Sequence, residues 1–453
     1  MKNILKAMTV GLVAATALTV SAAAADFSHC ADSLNQMNLF KGGTSGYELD
    51  RAPTRAEAAT MLVRLLGKEA DAQQLTYSAP FTDLENWEKP YVQYLYDNGL
   101  TNGATATTFA PESKCDAQMY STFLLRALGY SDAEGGDFTY AAAVDKATAL
   151  GVADSTNCDT ENFLRDNVVA MSYTALSVQP KDQAADSLLA KLVAGGAVDK
   201  AKAQATLDFF KNYSDYKAVS EAQADETKMA MTMTSDIVTK LDGADLMTAT
   251  TKLDIKADMN LEDLNKSKMA MTGTMTAKMD SSLAGSTEDS ETEQALQYYY
   301  TDGAYYMQIG DQKMKMPMDF SSVQQMINSA NGAKQEPITL FRSLTKSGNT
   351  YTVEYQPEVM NSMIADVLKT MNMDSLVQGT SVKINTVKAT VTVKDGKMSG
   401  MTMNMDIAIG AEGQSLNMTM NMKADITATG DSVKVVLPTD LDTYTDLSSL
   451  TEE

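Results

Sequence analysis

The spacing of apolar residues changes once along this chain, near residue 228. Before that point apolar residues recur at intervals of three and four, as in Tyr91, Val92, Tyr94 and Leu95, and this period predicts helices. After it they alternate with polar residues, as in Met401-Thr-Met403-Asn-Met405-Asp-Ile407, and a period of two predicts strands with one buried face. The sequence therefore predicts a helical domain followed by a β-rich domain.

Three imperfect copies of one pattern fill roughly the first 180 residues, and internal repeats define the architecture of such a region. The first copy opens its second helix with Pro53-Thr-Arg55-Ala-Glu57, and the third has Phe163-Leu-Arg165-Asp166 at the same place. The second copy is the most complete, and its defining residues are Asp83, Trp87, Gly99, Gly103, Phe109 and Pro111.

This pattern resembles the S-layer homology (SLH) repeat over residues 30–205. The resemblance implies an all-α module that holds a bacterial surface protein non-covalently on a pyruvylated secondary cell wall polysaccharide. It also implies that Arg55, Trp87 and Arg165 line the polysaccharide-binding pockets. Phe109 is expected to be a core anchor, and Trp87 could instead be one as well. The second copy departs from the pattern, because Ala117 stands where the arginine belongs, and the third has Thr139-Tyr140 in the tryptophan region.

The second domain combines alternating strands with glycine turns and two stretches of helical spacing. Turns are predicted at 242–243, 302–303 and 395–396, and inserted helices at 321–329 and 357–377. An acidic, serine-rich stretch at 281–293 predicts a loop. The aromatic strand, Asp-Gly turn and aromatic strand within 297–308 resemble the lipoprotein-carrier half-barrels (LolA- and LppX-like), which implies an antiparallel half-barrel and a possible apolar ligand.

Methionine is unusually abundant in the second domain, since most of the 31 methionines follow Glu226. Alternate positions on a strand place every thioether on one face. That face could be the ordinary packed core, or it could line a cavity for a lipid or another apolar ligand between Met403, Met420, Ile364 and Leu368, because flexible thioethers suit promiscuous binding. A Cu(I) site is the third interpretation, since thioethers are soft ligands.

The domain boundaries follow from composition. Residues 1–25 have the basic start, apolar core and small-residue cleavage region of a secretory signal peptide, whose removal leaves Asp26 near the mature N-terminus. We predict the SLH module at 26–205, a polar linker at 206–228 and the β-rich domain at 229–453. No later apolar run reaches the length of about 20 residues that a spanning helix needs, so no integral membrane segment is expected after cleavage.

Charge and chemistry exclude several classes of function. A net charge of −22 opposes nucleic acid binding, because phosphates demand a basic surface. His29 is the only histidine, so a hydrolase with an imidazole base is excluded. No pair of carboxylates stands out for a glycosidase. We predict no enzyme activity, no cofactor and no metal.

The remaining arginines and the cysteines have structural explanations. Arg64 and Arg126 lie on late helix turns, where a positive charge favours the helix C-terminus. Of the three cysteines, Cys115 and Cys158 could pair, or all three could be free, partly buried thiols.

Together these observations predict a multidomain α+β protein, with an all-α SLH repeat module followed by an antiparallel half-barrel with inserted helices. The expected function is that of a secreted protein on the cell wall, which binds its secondary polysaccharide. The alternatives are a surface carrier of a lipid or other apolar ligand in the half-barrel, and a purely structural envelope protein.

Overall fold

A computed structural model of the chain describes residues 26–154, 156–224, 226–280, 290–318, 320–321, 336–361, 380–411 and 414–446. Of these, 26–211 and 337–339 form one compact unit, here the helical unit, and the others form a second, the sheet unit. The predicted signal peptide and the predicted helix after Ser321 lie outside the described residues, as does the predicted helix 357–377 beyond residue 361.

The helical unit contains two helices from each of the three repeats, one short additional helix and a closing helix. In chain order these are α1 (Ser28–Gln36), α2 (Arg55–Leu65), the short α3 (Glu69–Ala72), α4 (Lys89–Asp97), α5 (Ala117–Ala127), α6 (Ala143–Ala149), α7 (Arg165–Ser177) and the closing α8 (Leu188–Ala194). The predicted all-α repeat module is therefore confirmed as a fold.

The three repeats are arranged in a ring. The second helix of each repeat packs on the first helix of the next, so that α2 contacts α4, α5 contacts α6, and α7 returns to α1. The three second helices also contact one another at the centre. Every residue of α7 from Asn167 to Leu176 is buried, as expected for a helix that is surrounded on all sides. The core of this unit therefore lies between the repeats rather than within any one of them.

A ninth helix, α9 (Lys200–Ala224), occupies most of the segment that we predicted as a linker at 206–228. Its early aromatic residues Phe209 and Phe210 pack against Tyr173 of α7. Farther along, Tyr216 is only 3% exposed and contacts the ring of Tyr351 at 5.5 Å. The buried residues of this helix within that segment, Phe210, Tyr216 and Val219, are separated by polar residues, so the segment has too few apolar positions to be recognised as a helix from its sequence.

The sheet unit is one twelve-stranded sheet. The strands are β1 (Lys228–Leu241), β2 (Ala244–Asp258), β3 (Lys268–Met279), β4 (Ser290–Thr301), β5 (Ala304–Ile309), β6 (Gln312–Pro317), β7 (Phe341–Ser347), β8 (Thr350–Tyr355), β9 (Thr380–Lys394), β10 (Lys397–Ala411), β11 (Gln414–Thr429) and β12 (Thr445–Asp446). Their spatial order is β12-β6-β5-β4-β3-β2-β1-β11-β10-β9-β8-β7. All pairs are antiparallel except β12 with β6, which confirms the predicted antiparallel half-barrel class.

The predicted turns join neighbouring strands. Positions 242–243, 302–303 and 395–396 are Asp-Gly pairs with positive φ at both residues, the backbone of the tight turn that matches the twist of a hairpin. Of the predicted loop at 281–293, residues from Ser290 onward belong to β4, and 281–289 lie outside the described residues.

One face of the sheet is apolar across its whole width. The register aligns residues of six neighbouring strands in one row on this face, namely Met231, Ile255, Met271, Tyr298, Met307 and Met314, and all of them are half-buried. On the other half of the sheet the same face carries Val353, Ala389 and Met405, all fully buried. The apolar face is thus closed over β8–β11 and partly open over β1–β6.

A buried acid lies where α9 meets the end of β8. The backbone oxygen of Glu336 accepts a hydrogen bond from the Tyr213 hydroxyl at 2.9 Å, whereas its Oε2 atom is buried without a hydrogen-bond partner. Burial raises the pKa of Glu336 to about 7, against a smaller lowering by the hydroxyl of Tyr216. The carboxyl group therefore stays protonated well above the pH at which an exposed glutamate ionises.

This site predicts a stability that falls as the pH rises. Because the folded pKa is raised, the Glu336 contribution is fully present below the unfolded pKa of about 4.3 and is lost as the pH rises through about 7. Glu336→Gln keeps the shape and removes the ionisation, so it should be more stable than the wild type at pH 8, by about 2–3 kcal/mol. Urea unfolding at pH 5 and pH 8 measures this.

The exposed Glu358 supplies the matched control, since Glu358→Gln removes an equal charge from the surface. The expected burial would be contradicted if the free energies of unfolding of the wild type and Glu336→Gln differed by the same amount at pH 5 and at pH 8.

Candidate functional site

Arg55, Ala117 and Arg165 occupy the same place in their repeats, the first residue of the second helix. Two of these helix starts bond to a loop of the neighbouring repeat. The Arg55 N–H donates to Ser113 O at 2.8 Å, and the Arg165 N–H donates to Arg51 O at 2.9 Å. Helix starts have unpaired N–H groups, and here the next repeat supplies the acceptors. The predicted binding arginines are therefore located at junctions between repeats.

The guanidinium of Arg55 is held among apolar groups of the second repeat. Its Cζ lies 4.7 Å from the centre of the Phe109 ring, and its Nη1 lies 3.4 Å from the Met119 sulfur. Its Nε is buried without a hydrogen-bond partner. Burial lowers the pKa of Arg55, and among the described residues no carboxylate forms an ion pair with it. This junction therefore contains a cation that forms no direct ion pair with a described residue, and the carboxylates of Asp83 and Asp116 act on it only at longer range.

The loop that carries Phe109 is fixed by Asp83. The two carboxylate oxygens of Asp83 accept hydrogen bonds from the N–H groups of Phe109 and Ala110, both at 2.8 Å. Burial raises the pKa of Asp83. The two N–H donors and the nearby Arg55 lower it by more, so the pKa of Asp83 lies below its ordinary value. Phe109 is completely buried, which confirms it as a core anchor, and it forms the floor beneath the guanidinium.

A third repeat also reaches this junction through Tyr140, which is 49% exposed. Its backbone oxygen accepts a hydrogen bond from the Gln118 side chain at the start of α5. Burial and Asp116 raise the pKa of the Tyr140 phenol, and Arg55 lowers it, so the phenol lies within electrostatic reach of Arg55. The sequence analysis named Tyr140 only as a departure from the tryptophan pattern and missed it as a site residue.

Arg165 lies in a different environment, at the junction of the third and first repeats. It is only 4% exposed, and its Nε donates to Tyr47 O at 3.0 Å. Its Nη1 lies 3.6 Å from Glu57 Oε1. Glu57 also accepts two hydrogen bonds from Arg51, at 2.8 and 2.6 Å. Arg165 is thus buried and partly compensated, in contrast to Arg55.

Trp87 is located on the surface, with 46% of its area exposed. Its indole N–H donates to Glu85 Oε2 within the same loop, at 3.1 Å. The alternative interpretation of Trp87 as a core anchor is therefore wrong. The nearby Glu88 shapes this loop, because its Oε2 accepts the Glu85 N–H at 2.7 Å. Arg55, Arg165 and Trp87 contact different residues and therefore do not form one common site. The indole ring of Trp87 is exposed to solvent.

The other predicted structural residues are paired or free as follows. Arg126 forms two hydrogen bonds with Asp132, at 2.8 and 2.7 Å, and Arg64 pairs with Glu69 at 2.9 Å. All three cysteines are free thiols, so the Cys115–Cys158 bridge is not formed. Within the described part of the chain, no group of three or more acidic, histidine or cysteine side chains is arranged to hold a metal ion. Nor is any described helix long and apolar enough to cross a membrane.

Several known proteins are similar to part of this chain. The middle cell wall protein of Brevibacillus brevis is 28% identical over 162 residues, which cover 35% of this chain and 15% of that protein. The cell surface protein of Thermoanaerobacter kivui is 29% identical over 158 residues, 34% of this chain and 20% of that protein. An endoglucanase of a Bacillus species is 33% identical over 81 residues, 18% of this chain and 8% of that enzyme. The chain thus spans a fifth or less of the length of these relatives.

Among solved structures, LprF from Mycobacterium bovis is similar over 50% of this chain and 97% of its own, with 10% identity and a TM-score of 0.27. A LolA superfamily protein from Nitrosomonas europaea covers 48% of this chain and 94% of its own, with 8% identity and a TM-score of 0.16. The S-layer homology domain matches residues 80–116, the segment that holds Asp83, Trp87 and Phe109. The second repeat of this chain therefore matches the S-layer homology domain.

Proposed function

We propose that this chain is a cell-surface protein that its helical unit holds on the cell wall by binding an anionic wall polysaccharide. The S-layer homology domain at residues 80–116 and the relatives that are cell wall and cell surface proteins support the general role. The single observation that carries the binding site is Arg55, a half-buried guanidinium that forms no direct ion pair with any described residue and leaves its Nε without an acceptor.

An uncompensated cation among apolar groups is costly, and a bound anion would remove that cost. Charge-assisted hydrogen bonds are about twice as strong as neutral ones, and the buried Nε of Arg55 is an unused donor. A carboxylate on a sugar, such as the pyruvate group that the family resemblance implies, has the charge and the two oxygens that a guanidinium binds. Arg55 is therefore the primary anion contact in this proposal.

The aromatic residues supply the second element of polysaccharide recognition. Trp87 exposes its indole, and Tyr140 brings an exposed phenol to the Arg55 junction. Aromatic faces pack on the apolar face of a sugar ring while polar tips bond to its hydroxyls. Arg165 remains a predicted contact, but its burial and its pairing with Glu57 give it a supporting position at a second junction.

The surrounding charge makes a local cation necessary. The net charge of −22 repels an anionic polymer at long range, and salt screens this repulsion over about 10 Å at 0.1 M. Binding through Arg55 must therefore act at contact distance. The sheet unit would then be carried at the surface as the exposed part of the protein.

This proposal predicts that Arg55→Ala weakens sedimentation of the chain with purified cell wall sacculi. Loss of one charge-assisted contact costs about 1.5–3 kcal/mol, which is about a 10- to 150-fold loss of affinity. Arg55→Lys should retain part of the binding, because it keeps the charge and loses the planar fork. Arg165→Ala should act mainly on stability, and lower the melting temperature of the helical unit.

Lys200→Ala is the matched control, since it removes one positive charge from an exposed position and should leave sedimentation unchanged. Sacculi stripped of their secondary polysaccharide should bind none of the proteins. If Arg55→Ala melts like the wild type and also sediments like it, Arg55 does not bind the polymer.

A second candidate function rests on the half-open apolar face of the sheet unit. Met231, Met271 and Met307 lie on β1, β3 and β5, face the same side and keep part of their surface exposed. A continuous row of half-buried apolar side chains is a surface on which an apolar ligand can pack, and methionine side chains adapt to irregular ligands. We propose an apolar ligand of lipid size for this face, with packed core as the alternative.

Two adjacent substitutions on β3 test this second function. Met271→Lys puts a charge on the apolar face, and Thr272→Lys puts the same charge on the opposite face, where Thr272 is exposed. Burial of an unpaired charge is costly, so Met271→Lys should reduce the affinity for a fluorescent fatty acid by about tenfold or more. Equal binding by both variants would place the ligand elsewhere, and no binding by the wild type would leave the methionines as packing.

A further inference from the structure

The carboxyl group of Asp166 is the second candidate for an uncompensated charge in the helical unit. Asp166 is the second residue of α7, and its Oδ1 accepts a hydrogen bond from the backbone N–H of Phe27, at 3.0 Å. That bond joins the last repeat to the first described turn of the chain. Among the described residues, no lysine, arginine or histidine forms an ion pair with Asp166.

The described groups around Asp166 carry no positive charge that could pair with it. The Asp26 carboxylate and the buried Cys30 thiol lie near it, and neither supplies a positive charge. Its neighbour Arg165 points away, towards Tyr47 and Glu57. Burial first, and Asp26 second, raise the pKa of Asp166 to about 7 despite the Phe27 N–H. Asp166 is half-buried, and a carboxylate that is partly removed from water without a cation beside it is destabilising.

Backbone geometry brings a specific cation within reach of this group. Phe27 is buried, and Asp26 is folded onto α1 because its Oδ1 accepts the Ser28 N–H at 2.8 Å. Consecutive backbone nitrogens are about 3–4 Å apart. The nitrogen of Asp26 therefore lies within about 7 Å of the Asp166 carboxylate, given the 3.0 Å bond from Phe27.

We propose that removal of the leader before Asp26 creates the cation that Asp166 lacks, so that the new α-ammonium pairs with this carboxylate and fastens α1 to α7. The inference rests on the predicted cleavage between Ala25 and Asp26. Hydrolysis of that peptide bond consumes one water, leaves a carboxylate on Ala25 and releases the Asp26 amine, which takes up a proton. Processing thereby adds an ion pair to the contacts that already join the last repeat to the first.

The sign of the effect separates this ion pair from an ordinary free amine. An ammonium at a helix N-terminus is unfavourable, because the helix dipole is positive there. Without Asp166, a free amine before α1 should thus destabilise the helical unit relative to a blocked one. With Asp166 it should stabilise the unit between the pKa of the paired carboxylate and that of the amine, near 8.

The test compares full chains that begin at Asp26 with either a free or an acetylated amine, each with Asp166 and with Asp166→Asn. At pH 6.5 the free amine should raise the melting temperature of the helical unit by about 2–4 °C when Asp166 is present. In Asp166→Asn the difference should vanish or reverse. The carboxyl carbon of Asp166, followed by NMR, should titrate at least one pH unit lower in the free-amine chain.

Two outcomes would overturn the proposal. One is an equal effect of acetylation with and without Asp166, or, if Asp166→Asn does not fold, an unchanged titration of Asp166 in the two wild-type chains. The other is a secreted protein whose N-terminus, read by mass spectrometry, is not Asp26. The wall-binding proposal is independent of both, because Arg55 lies at a different junction.

Discussion

The helical unit depends on the backbone hydrogen bonds that two of its second helices make, at their first residue, with another repeat. The N–H groups of Arg55 and Arg165 donate to Ser113 and Arg51, so these second helices cannot satisfy their first turn alone. An isolated repeat would leave these donors to water and its apolar stripe exposed, because the core lies between repeats. The same bonds carry the side chains of the first helical residues to the junctions, which are the places where a ligand could meet more than one repeat.

The sheet unit solves a different constraint, that of an open sheet with two edges. An exposed edge strand pairs readily with other chains. The outer edge of β7 is covered by α9, whose Asn212 side chain donates to Leu344 O at 3.1 Å, and Lys346 pairs with Asp215 of the same helix. At the other edge, β12 lies beside β6. The late part of α9 is thus a structural element of the sheet unit, which explains why a tyrosine-bearing helix replaces the expected linker.

Much of this architecture could be predicted from local pattern. The change of period near residue 228, the Asp-Gly hairpin turns and the role of Phe109 as a core anchor were predicted, and the structure agrees with them. The exposure of Trp87, the burial of Arg165 and the position of Tyr140 could not be predicted. Each of these depends on which loop of another repeat is adjacent, and a single sequence contains no direct record of such non-local contacts.

Equivalent positions in a repeat need not have equivalent chemistry. Arg55 and Arg165 both begin a second helix, yet the carboxylate of Glu57 compensates only Arg165, while the floor beneath Arg55 is the ring of Phe109. The difference arises because the loop that meets α7 belongs to the repeat that also holds Glu57, whereas the loop that meets α2 offers apolar side chains. Of these two arginines, only Arg55 therefore lacks a direct ion pair with a described residue. The repeat motif places an arginine at the start of the second helix, and the side chains of the neighbouring repeat determine whether that arginine can bind a ligand.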